Sequence, residues 1–121
     1  MDLTDVGELL RGFVDCEVSV HTINRNFQHT LGVYPRRGGT PYNPDVGIYK
    51  AYDFVPVTLL LRWGRNGAEA EGVAGKLYSA LEDAVLTWGI VVPANNAPVW
   101  LGADQRGVFE YSIDVNFYVK N

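Results

Sequence analysis

The chain has 121 residues, 47% of them hydrophobic and 20% charged, with a formal net charge of −4 at pH 7. That length suits a single domain over 1–121 and is too short for two cores, and the acidic balance argues against a broad nucleic-acid-binding surface, which needs clustered cations to neutralise phosphates. The lone Cys16, beside Val14 and Val18, excludes an intramolecular disulfide, and no apolar run approaches the ~20 residues that cross a bilayer, so a soluble, intracellular protein with no membrane partner is expected.

Val6, Leu9, Leu10 and Phe13 recur at helical spacing, so residues 3–14 are expected to form a short amphipathic helix, with Asp2 and Thr4 as candidate caps. Val18 and Val20 alternate with polar residues, and Leu31, Val33 and Tyr34 lead into Pro35; one or two short strands are expected within 16–34. From about 36 to 53 the chain turns to Arg36, Arg37, glycines, prolines and the tyrosines Tyr42, Tyr49 and Tyr52. No ladder accommodates proline and glycine at that density, so this stretch reads as a long loop, and long loops in small domains are usually functional or disordered.

Val55, Val57, Leu59, Leu61 and Trp63 occupy alternate positions of a second long strand, with Pro56 read as an edge or entry position. Residues 68–88 place Val73, Leu77, Ala80, Leu81, Ala84, Val85 and Trp88 on one helical face, and Gly89 is the expected stop. Short strands follow at 90–92 and 99–101, and a polar turn at 102–107 leads into the sharpest pattern in the chain. There Phe109, Tyr111, Ile113, Val115, Phe117 and Val119 alternate with Glu110, Ser112, Asp114, Asn116 and Tyr118, as in a strand with one face in a core and one in water. The elements run α-β-β-β-α-β-β-β, which predicts an α+β fold: a mainly antiparallel sheet packed against two helices.

Catalytic patterns are weak throughout. Gly67 to Lys76 superficially resembles a phosphate-binding loop, but Ala70 replaces its first glycine and Leu77 its Ser or Thr, so a small-residue helix face is the better reading. His21 and His29 lie at no metal-like spacing with other ligands, and Glu110 and Asp114 lie roughly 13 Å apart along a strand, too far for a glycosidase pair. No catalytic residue, metal or cofactor is expected. Trp88 and Trp100 are read as core residues. The Arg36–Arg37 turn reads equally as an exposed turn with ordinary solubilising charge and as a grip for an anion or a partner's carboxylates, since the tyrosines around it are typical of interface hot spots.

Gly32-Val-Tyr-Pro-Arg-Arg-Gly-Gly-Thr-Pro41, Phe54-Val-Pro-Val-Thr-Leu-Leu-Leu-Arg-Trp-Gly64, Ala74-Gly-Lys-Leu-Tyr-Ser-Ala-Leu81 and the closing Val99–Phe117 hairpin, in this order, resemble the minor capsid and tail-terminator (tail-completion) proteins of tailed bacteriophages. The resemblance implies a virion protein, made in the host cytoplasm, that forms a homo-oligomeric ring, commonly a hexamer. Such a ring caps the tail tube protein, ends its polymerisation and joins it to the head–tail connector or stopper protein at the head–tail junction, with DNA only passing through the lumen. Interface candidates are Tyr34, Arg36, Arg37, Tyr42, Tyr49, Tyr52, Glu110 and Asp114. The alternative expectation is a small anion-binding α+β domain or enzyme that uses the Arg36–Arg37 turn.

Overall fold

Alternating apolar residues build the centre of the molecule. The computed structural model describes residues 3–36, 52–84, 89–94 and 97–120. In chain order it contains α1 (Leu3–Leu10), β1 (Glu17–Val20), β2 (His29–Pro35), β3 (Tyr52–Trp63), α2 (Gly67–Glu82), β4 (Gly89–Pro93), β5 (Val99–Ala103) and β6 (Phe109–Lys120). This is the α+β fold and the element order read from the sequence. The strands form one six-stranded sheet in the order β1-β2-β3-β6-β4, with β5 also paired to β6. β3 and β6 run antiparallel from Tyr52 opposite Lys120 to Arg62 opposite Glu110, so the two long alternating segments lie side by side. β4 and β5 lie end to end along the other flank of β6, pairing with residues 115–119 and 109–112.

One face of the sheet carries the core. Leu31, Val33, Val57, Leu59, Ile113, Val115 and Phe117 are fully buried there, each side chain contributing about 1.5–3 kcal/mol relative to exposure. Helix α1 meets this layer through Val6 and Leu10, and α2 through Ala74, Leu77 and Leu81. Close approach of α1 depends on Gly7, where an added Cβ would lie 2.8 Å from a methyl of Val20. The first helix is shorter than its periodicity suggests: Gly12 and Phe13 donate to Leu9 and Leu10 in a tightened final turn, and Thr4 lies inside the helix, not at its cap. Asn66 caps α2 by accepting from the Glu69 N–H at 3.1 Å.

Two further expectations are corrected. Helix α2 ends at Glu82 with Asp83 as its C-cap, and Gly89 opens β4 instead of closing the helix; Val85 and Trp88 lie outside the described residues. Pro56 stands inside β3, a central strand. Its C=O accepts from the Arg36 N–H just past the end of β2, so its ring nitrogen faces that same flank and no bond to β6 is lost. The sheet also includes a parallel pair, β1 with β2. Their connection, residues 21–28, crosses the outer face: a Cβ on Gly32 would meet the Thr22 carbonyl oxygen at 3.1 Å and Ile23 at 3.2 Å.

Candidate functional site

The face of the sheet opposite the helices holds the even-numbered residues of β2, β3 and β6, so a row of polar groups is displayed there. At one end is Arg62, opposite Thr30 on β2 and Glu110 on β6. The 21–28 crossover and the 104–108 turn close over it, and its side chain is 0% exposed. Its guanidinium donates to Asp104 Oδ2 at 2.8 Å, to Glu110 Oε2 at 3.3 Å and to the Arg25 carbonyl at 3.5 Å. Arg25 pairs with the same Glu110 carboxylate at 3.3 Å, and Arg106 donates to the Arg25 carbonyl. Among the described residues Arg62 Nε has no partner.

Asp104 organises this corner. One of its oxygens accepts from the backbone N–H groups of Arg106 at 2.8 Å and Val108 at 3.0 Å, while the other accepts from Arg62. The Val108 N–H above all, with the Arg62 and Arg106 donors, holds its carboxyl below the ordinary 3.8 against the opposing effect of burial. At the same end of the sheet His29 stacks on Trp63 with ring centroids 4.1 Å apart, and Trp63 Nε1 donates to Glu69 in the first turn of α2.

A second polar cluster lies further along the face. Thr58 donates to Asp114 Oδ1 at 2.7 Å, and Arg36 donates to the Val57 carbonyl at 3.1 Å and to Asn116 Oδ1, with Asp114 at 4.0 Å. Arg36 therefore turns into the sheet, 18% exposed, and ties the end of β2 to β3 and β6. Tyr34 is half-buried on this face, its ring in the space left by Gly32.

The sequence candidates thus separate. Arg36 and Asp114 join one cluster and Glu110 the other; Tyr34 stands near the first, and Tyr52 opens β3. Arg37, Tyr42 and Tyr49, with residues 37–51 of the expected loop, lie outside the described residues, and the end of that loop is corrected, because residues 52–53 already belong to β3. Arg62, Asp104 and Arg25 carry no mark in the sequence, because a charged residue in an alternating strand or a polar turn reads as solvated. Cys16 is partly buried against the core, and burial, then Asp15 and Glu17, raise its thiol to about 11, which keeps it protonated at neutral pH. Among the described residues no group of three or more His, Cys, Asp or Glu gathers to hold a metal ion.

Trp100 reverses its expectation. It is 62% exposed on β5, and Ile90, Val92, Val99 and Leu101 also project large apolar side chains into water. β5 is an edge strand whose register shifts between Trp100 and Gly102, which has a φ of 103°, so its residues are turned away from the core layer. Fold and site together define an α+β domain with an internally matched polar face and an apolar edge. No family model and no curated protein matches the chain.

Proposed function

We propose that this chain is a structural protein of a tailed-phage virion that caps the tail tube as a ring, ends its polymerisation and joins it to the head connector or stopper. The observation that carries the reading is the exposed apolar edge formed by Ile90, Val92, Val99, Trp100 and Leu101, a surface suited to protein contact. The element order supports it, since the resemblance rests on the same succession of helix, strands, helix and closing hairpin. The polar clusters support it as well: their arginines and carboxylates are matched to each other and hold the sheet together. On this reading the Glu110 and Asp114 carboxylates serve the fold through their pairing with Arg62 and with Thr58. The Arg36 guanidinium, already committed to Val57 and Asn116, gives the anion-binding alternative no support.

The test is end-capping. Added to polymerising tail tube protein, the chain is expected to shorten the tubes and leave ring-shaped density at their ends in negative-stain images. Unchanged tube lengths, with no chain co-sedimenting with the tubes, would overturn the proposal.

A further inference from the structure

The two outer edges of the sheet are built differently. β1 begins with Glu17, and Arg11 from the turn after α1 donates to its Val18 carbonyl at 3.2 Å, so charged groups guard that edge. At the other edge β4 reads Gly-Ile-Val-Val-Pro and β5 reads Val-Trp-Leu-Gly-Ala, ten positions without a charge. Exposed edge strands are ordinarily protected against pairing by lysine, other charges or proline. Among the described residues, only Pro93, the Gly102 bulge and the shortness of the strands provide such protection here.

Register shows how the apolar groups are arranged. Ile90 stands opposite Tyr118, Val92 opposite Asn116 and Val99 opposite Ser112, so these three follow one another along the face away from the helices. Trp100, opposite Tyr111, projects from the other face, so β5 exposes large apolar groups on both sides. The five side chains are between 42% and 62% exposed, which leaves on the order of 400 Å² of apolar surface in water. A stable interface takes about 800 Å² from each partner, a little over half of it apolar. The strip thus supplies the apolar part of one protein–protein interface.

We infer that the β4–β5 edge is a self-association surface, covered by a second copy of this chain. A second copy fits because the strip matches one subunit's share of such an interface and carries no charge to select a partner of opposite sign. The inference rests on the assembly reading above and adds to it the surface through which copies meet.

Sedimentation equilibrium of the full chain from about 5 to 300 µM tests it, alongside the separate substitutions Trp100→Glu and Ile90→Glu. Both residues are exposed, and circular dichroism reports whether each variant keeps its fold. The wild type is expected to show a mass that rises with concentration above that of one chain, and each folded variant to weaken association at least tenfold. A wild type that stays at single-chain mass throughout, or folded variants that associate as tightly as the wild type, would overturn the inference. End-capping is scored separately. Tube capping by the wild type, together with folded Glu variants that self-associate as tightly as it does, removes this surface and spares the tail reading; association through the edge without capping does the reverse.

Discussion

Arg62 brings a full positive charge to a position with no solvent exposure, and only its neighbours make that tolerable: Asp104, Glu110 and the Arg25 carbonyl replace the water it has lost. Arg62→Ala is expected to lower the unfolding free energy by about 3 kcal/mol in urea denaturation, near the low end for a broken buried pair, because both carboxylates keep some contact with water. The pH dependence follows from Asp104. Its folded carboxyl lies below the ordinary 3.8, so its contribution is complete above the unfolded value and is lost as pH falls through the lower folded one. Wild-type stability should therefore decline on acidification below about pH 4. Asp104→Asn should flatten that decline in urea titrations at several pH values.

The same corner shows how elements constrain one another. The parallel β1–β2 pair is joined by residues 21–28 alone, a connection that passes over β2 at the one residue there without a side chain. At Gly32 a Cβ would lie 2.8 Å from the Tyr34 ring and 3.1 Å from the Thr22 carbonyl oxygen, and a carbonyl cannot swing aside as a side chain can. Gly32→Ala is expected to cost about 1–3 kcal/mol in thermal or chemical denaturation. Gly7→Ala is the informative contrast. Its obstacle is a methyl of Val20, and alanine's helix propensity offsets part of the clash by about 1 kcal/mol, so the net loss should be smaller.

Across the whole molecule, stability should be graded from the β3–β6 pair outward. These two strands have partners on both flanks and bury Val57, Leu59, Ile113, Val115 and Phe117, whereas β5, among the described residues, pairs only with β6 and holds its large side chains in water. Hydrogen exchange is expected to leave the central amides of β3 and β6 protected longest and to release β5 early, since local opening is easiest where few apolar groups are buried. Protection of β5 that grows with protein concentration would link the gradient to self-association, and uniform exchange across the sheet would contradict it.

Residue order alone determined the α+β class, the element succession and the core face of the two long strands, because side-chain alternation and helical spacing are local properties that burial must respect. It also marked Arg36, Glu110 and Asp114 as notable, though for partners instead of for the sheet. Tertiary structure alone decided the rest. Arg62 reads as one more solvated strand residue until a crossover and a turn from distant parts of the chain close over it, and Trp100 reads as core until its strand is placed at the edge. The parallel β1–β2 pairing and the place of Pro56 beside the end of β2 likewise depend on which strand lies next to which. Adjacency is set by contacts between residues far apart in the chain, and no local periodicity encodes it.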